Sequence, residues 1–108
     1  MDINIDSRRP SVSNTYGGVS GPLLLPVALR AVDQVYKECG GLPIIGVGGI
    51  STGSDAVKML MAGASAVQVG TANFVNPRAT HNVLEELRTW CEHHQTTPAE
   101  LTGSSHLV

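Results

Sequence analysis

Apolar residues follow two rhythms along the chain. Val27, Ala28, Ala31, Val32 and Val35 fall at three- and four-residue steps, the period of a helix with one buried stripe. Pro22 suits a first helical turn, Pro26 a second start or a kink, and Gly40-Gly41 a stop. A second stripe, Val57, Leu60, Met61 and Ala64, follows the helix-start cluster Ser51-Thr52-Gly53-Ser54-Asp55 and ends at Gly63. A third comprises Val83, Leu84, Leu87, Trp90, Cys91 and His94, with Thr80 as the expected cap. Between the helices the rhythm changes. Ile44, Ile45 and Val47, and then Ala66-Val67-Gln68-Val69, are short near-continuous apolar runs, as expected for parallel strands covered on both faces. Near the start, Asp2-Ile3-Asn4-Ile5-Asp6 alternates. Ser7-Arg8-Arg9-Pro10 reads as a turn and Ser11-Val12-Ser13 as a return strand, which together predict a small antiparallel hairpin. Asn73 to Pro77 reads as an irregular or single-turn segment. The tail from Thr96 is polar and loosely specified, with one possible turn over Pro98–Thr102.

Both core strands end in glycine. Pro43-Ile-Ile-Gly-Val-Gly-Gly-Ile-Ser51 is followed by a helix and then by Ala66-Val-Gln-Val-Gly-Thr71. Strand ends of this kind are where parallel barrels place their ligands. Gly48, Gly49, Gly70 and Thr71 offer backbone N–H groups with little side chain in the way, so a phosphate could sit there without a lysine. Tight turns alone also call for glycine. Two glycine-ended strands joined by one crossover favour the ligand reading over the bare turn. The dinucleotide fingerprint is excluded, because Ser51 stands where its last glycine would be.

Composition narrows the classes. The chain has 108 residues, 42% hydrophobic and 15% charged, with net charge −2. That describes one small globular domain with no linker, and without a basic cluster nucleic acid is excluded as a main ligand. No apolar run reaches membrane-spanning length, and Met1-Asp2-Ile3-Asn4 lacks the features of a signal peptide. Cys39 and Cys91 have no metal spacing and read as reduced structural thiols, which points to the cytoplasm. Adjacent His93 and His94 diverge by about 100° on a helix and cannot easily share one ion. His81 and His106 carry no expected role, Asp55 is expected to stabilise a helix amino terminus, and Arg8-Arg9 are expected to be solvated. Two parallel strands cannot close a sheet, and a barrel needs eight strands over roughly 250 residues. The element count therefore predicts a part of something larger.

At Gly17-Gly-Val-Ser-Gly-Pro22 a specific likeness emerges. With Pro43–Ile50, with Ala62-Gly-Ala-Ser-Ala-Val-Gln-Val-Gly-Thr-Ala-Asn-Phe74 and with Leu101-Thr-Gly103, the chain resembles the carboxyl-terminal part of a class 1 dihydroorotate dehydrogenase. Asn73-Phe74 after Gly70-Thr71 points to the NAD-linked class 1B. The resemblance implies an α/β fold: the last part of a TIM (β/α)₈ barrel, about two βα units plus the hairpin. Residues 1–108 would form one partial FMN-binding domain. It implies FMN-dependent oxidation of dihydroorotate to orotate in pyrimidine biosynthesis. FMN phosphate would be held by Gly21, Gly48, Gly49, Gly70 and Thr71, with Ser20 as a loop hydroxyl near the flavin. It also implies an iron-sulfur/FAD electron-transfer subunit and a homodimer mate. The family's catalytic cysteine, its flavin-contacting lysine and its orotate-gripping asparagines belong upstream, and neither Cys39 nor Cys91 matches the cysteine. Val12-Ser13-Asn14 departs from the family's Leu-Ala-Asn. Gly48 is expected to lie outside the packed layers, so that bulk there would affect flavin before fold. A dihydropyrimidine dehydrogenase-like barrel shares the Gly17–Gly21 motif but departs at Val69–Phe74. An IMP dehydrogenase-like barrel has similar glycine loops but not Gly17–Pro22. A non-catalytic flavin-binding module is the third reading.

Overall fold

The computed structural model describes residues 1–108. A hairpin of β1 (Ile3–Asn4) and β2 (Arg9–Pro10) is followed by an extended glycine-rich segment and a 3₁₀ turn over Pro22–Leu24. Then come α1 (Leu25–Glu38), β3 (Ile45–Val47), α2 (Gly53–Ala62) and β4 (Ala66–Gln68). The single turn α3 (Ala72–Val75) leads into α4 (Ala79–His93), α5 (Pro98–Leu101) and a closing 3₁₀ turn, Ser104–Leu107. β3 and β4 pair in parallel with Ile45 opposite Ala66 and Val47 opposite Gln68, and α2 is their crossover.

The hairpin forms, but its return strand is Arg9–Pro10 rather than residues 11–13. The Asn4 carboxamide tightens the turn, because its Oδ1 accepts from the amides of Asp6 (3.1 Å) and Ser7 (2.9 Å). Arg8 completes the turn with φ 57°, so pairing starts two residues early.

The core lies between α2 and its neighbours. Ala56, Val57, Met59, Leu60, Ala62 and Ala64 are all buried, a wider face than the predicted stripe, because α1, α4 and the tail surround α2. α1 turns inward a face that shares Ala28 and Val32 with the expected stripe but adds Leu25 and Leu29 in place of Val27 and Val35. Leu25, Ala28, Leu29 and Val32 meet the core, while Val27 is 65% exposed and Val35 40%. Val27, Ala31 and Val35 lie on a second apolar face of the same helix, and period alone does not choose between two such faces. On α4, Val83 and Cys91 are buried, but Leu84 is half exposed.

The two core strands are covered on one face only. Ile45 is 58% exposed and Val47 52%, with Gly46 buried between them against Met59 and Ala64. The expectation of two covered faces fails because α1 and α2 lie on the same side and nothing in these 108 residues reaches the other. Both outer strand edges are unpaired as well. The radius of gyration, 16.5 Å, exceeds the roughly 13 Å usual for a compact chain of this length.

Three terminal details correct or extend the sequence reading. Arg78, not Thr80, is the N-cap of α4, and Thr80 lies inside the first turn. His94 stacks on Trp90 at 3.8 Å and its Nδ1 donates to the Trp90 carbonyl at 2.8 Å, closing α4. The tail is specified, not loose. The Gly103 amide donates to Leu60 O (2.9 Å), Thr102 Oγ1 to Ala64 O (2.9 Å), Ser105 Oγ to Met61 O (2.7 Å) and His106 Nε2 to Ala62 O (2.8 Å). His106 also stacks on Tyr36 at 4.6 Å and lies 3.3 Å from Asp33. A helix leaves its last four carbonyls without partners, and here the tail supplies donors for three of those of α2, at Leu60, Met61 and Ala62.

Candidate functional site

Because β3 and β4 run parallel, their carboxyl-terminal loops leave at the same end of the sheet. Gly48 and Gly49 directly follow Val47, and Gly70-Thr71 follow β4 by one residue. The segment before the Pro22 turn brings Gly21 to the same place. Gly21, Gly48, Gly49, Gly70 and Thr71 all line one cavity of about 440 Å³, and Ser20 is on its wall. That size is within the range of small-molecule sites.

The amides of Gly48, Gly49, Gly70 and Thr71 donate to no acceptor within the chain. Unpartnered N–H groups on residues that line one concavity suit an anion, since each donor aimed into it would gain a charged acceptor. The amino terminus of α2, by contrast, is already satisfied. Thr52 Oγ1 accepts from the Asp55 amide at 3.2 Å, while Asp55 Oδ2 accepts from the amides of Ser51 and Thr52, each at 3.1 Å. Glu86 on α4 reaches across and accepts from the Gly53 amide at 2.6 Å. Two carboxylates therefore occupy the helix end, and the free donors are those of the glycine loops. Glu86 had no sequence signal, since its partner is 33 positions away and only the packing of α4 on α2 joins them.

Burial would raise the Asp55 pKa, but hydrogen bonds from Ser51 and Thr52 outweigh it and hold the carboxyl below its ordinary value. A depressed folded-state pKa contributes stability above the unfolded value, near pH 4, and loses it as the pH falls through the folded value. Asp55→Asn is therefore expected to reduce the drop in thermal midpoint between pH 7 and pH 3. Equal drops in the two proteins would rule the capping box out as a contributor.

The glycines differ in why they are glycine. Gly48 has φ 124°, and a β-carbon there would come within 3.0 Å of the Ala28 side chain and 3.3 Å of Leu24. At Gly49, φ is 75° and a β-carbon would run into the backbone of Leu25. Both glycines of the β3 loop are thus packed against α1 and the turn before it, which corrects the expectation that Gly48 lies outside the packed layers. Gly70 has neither constraint. Its φ is not positive, and a β-carbon there would meet nothing within 4 Å. No contact within these 108 residues requires glycine at 70, and the bare backbone there leaves room for a ligand to approach closely.

The candidate chemistry is lopsided. Glu86 is the only ionisable side chain on the cavity wall, and its carboxylate is engaged by Gly53. Cys39 is exposed at the end of α1, and Cys91 is buried in α4, where burial pushes its thiol pKa up. Neither lines the cavity, and neither does any histidine.

The family model for dihydroorotate dehydrogenase matches residues 1–90. The chain belongs to the dihydroorotate dehydrogenase family. A Desulforamulus reducens protein described as dihydroorotate dehydrogenase B (NAD(+)), catalytic subunit, is 49% identical over 99% of this chain and 35% of its own length. The protein of the same description from Alkaliphilus metalliredigens is 53% identical over 96% of the chain and 34% of its own. Ligand-free dihydroorotate dehydrogenase from Eimeria tenella superimposes with TM-score 0.79 at 34% identity, covering 94% of this chain and 29% of that one. The chain spans about a third of the length of the curated relatives it matches. Its fold is accordingly part of the α/β barrel of these enzymes, which accounts for a sheet covered on one face. No helix is long and apolar enough to cross a membrane.

Proposed function

We propose that residues 1–108 form the FMN-phosphate-binding part of an enzyme that oxidises dihydroorotate to orotate. The observation that carries this is the cavity at the strand ends. Four residues whose amides have no acceptor within the chain line it, and at one of them, Gly70, no contact within these 108 residues calls for glycine. Gly48, Gly49, Gly70 and Thr71 would donate to the phosphate oxygens, with Gly21 closing the wall. Glu86 stays clear of the phosphate because the Gly53 amide holds it. When bound, the flavin supplies the hydride acceptor; the chain's own part is to hold and orient it.

Relatives described as catalytic subunits of the NAD-linked enzyme support a reading in which a second, electron-transferring subunit of iron-sulfur/FAD type completes the assembly. A cytoplasmic location and a homodimer mate accompany that reading.

The test compares FMN with riboflavin, which lacks only the phosphate. Flavin fluorescence titration is run on the 108-residue chain and on the Desulforamulus relative with its matching third replaced by this chain. A phosphate nest predicts at least about a hundredfold preference for FMN, since hydrogen bonds to charged groups contribute about 1.5–3 kcal/mol each. Equal affinities in the replaced enzyme would remove the phosphate assignment.

A further inference from the structure

The Gly70 and Thr71 amides are useful to an anion only if they point into the cavity, and a peptide next to glycine is free to turn. One residue holds both. The Asn73 side chain donates from Nδ2 to the Val69 carbonyl at 2.8 Å, and the Asn73 amide donates to the Gly70 carbonyl at 3.0 Å. Those two carbonyls belong to the same peptide groups as the Gly70 and Thr71 N–H bonds. In a trans peptide, C=O and N–H lie in one plane and point opposite ways, and no peptide here is cis. Fixing the Val69 carbonyl therefore aims the Gly70 amide, and fixing the Gly70 carbonyl aims that of Thr71.

The Asn73 carboxamide is itself held from the other side. Its Oδ1 accepts from the Thr80 amide at 3.2 Å and from Thr80 Oγ1 at 2.9 Å. This fixes which end of the carboxamide is the donor, because only the amino group can serve the Val69 carbonyl. Strand end, single-turn helix and the start of α4 are thereby joined through one half-buried side chain. We propose that Asn73 is a positioning residue for phosphate recognition, setting the direction of the Gly70 and Thr71 amides without touching the ligand. This rests on the phosphate reading given above.

The readout is again the ratio of FMN to riboflavin affinity, measured on the 108-residue chain and on the Desulforamulus relative carrying it. General loosening of the fold would weaken both flavins alike, whereas misaimed amides weaken only the phosphorylated one. Asn73→Ala and Asn73→Asp, which both remove the donor to Val69, are expected to lower FMN affinity about tenfold, with riboflavin changed by less than about twofold. Thr80→Val removes only the hydroxyl and is expected to lower the ratio by about threefold. If Asn73→Ala fails to fold, Thr80→Val carries the test. An unchanged ratio in variants that fold, or an equal loss for both flavins, overturns the role of Asn73. A wild-type protein with no preference for FMN would instead overturn the phosphate reading itself.

Discussion

Gly70→Ala is expected to lower FMN affinity at least about tenfold while leaving the thermal midpoint unchanged or slightly raised, and Gly48→Val to lower both. The contrast follows from the two environments. At Gly70 the added methyl meets no protein atom within 4 Å and the backbone angle suits any residue, so folding loses nothing. Replacing glycine at such a position also restricts the unfolded chain, which favours the folded state. On the phosphate reading proposed above, the methyl competes with a phosphate oxygen for the space beside the unpartnered amide. At Gly48 a positive φ and contacts with Ala28 and Leu24 mean that valine forces α1 away from the sheet. The cost there is on the order of 1–3 kcal/mol from overpacking, with backbone strain of similar size in addition. Retained flavin affinity in a folded Gly70→Ala protein would mean the ligand does not approach this backbone. Bound flavin and thermal midpoint, measured on the same samples, separate the two cases.

The parts that were legible in the sequence are those set by local chemistry. Glycine stops, a proline start and a helix-start cluster at Ser51–Asp55 marked the order of helices and strands. The glycine-ended strands marked a common end of the sheet before any partner was known. What was not legible depends on contacts between distant segments. Either apolar face of α1 satisfied the helical period, and only the arrival of α2 decides between Val27 and Leu29. Asn73 hid for a related reason. Its sequence neighbourhood reads as an irregular turn, and its carboxamide gains meaning only once Val69 and Thr80 are placed on either side of it. The tail looked loose because Thr102, Ser105 and His106 are polar. They bond the carbonyls of Met61 and Ala62 at the end of α2 and that of Ala64 two residues beyond it. A polar residue read without its partner looks like surface.

The 108-residue chain by itself is expected to show no oxidation of dihydroorotate, even when supplied with FMN. Removing a hydride from the substrate requires that a proton leave as well, and a positioned base accelerates such a transfer by roughly 10²–10⁴-fold. The cavity wall offers no such group. Its only ionisable side chain, Glu86, accepts a 2.6 Å hydrogen bond from Gly53 and is held there by the packing of α4 on α2. Cys91 is buried away from the cavity, with its thiolate form disfavoured, and Cys39 is exposed at the far end of α1. The wall also lacks any cation to bind the carboxylate of the substrate. On the proposed reading, flavin binding and turnover should therefore separate, because backbone amides need only local order, while the wall holds neither a free base nor a cation for the substrate. Reduction of a dye acceptor, followed with FMN and dihydroorotate present, is expected to stay at background for the chain. It should appear when the chain replaces the matching third of its Desulforamulus relative. Turnover by the chain alone at a rate comparable with that whole enzyme would place the base among these residues and sink the division of labour argued here.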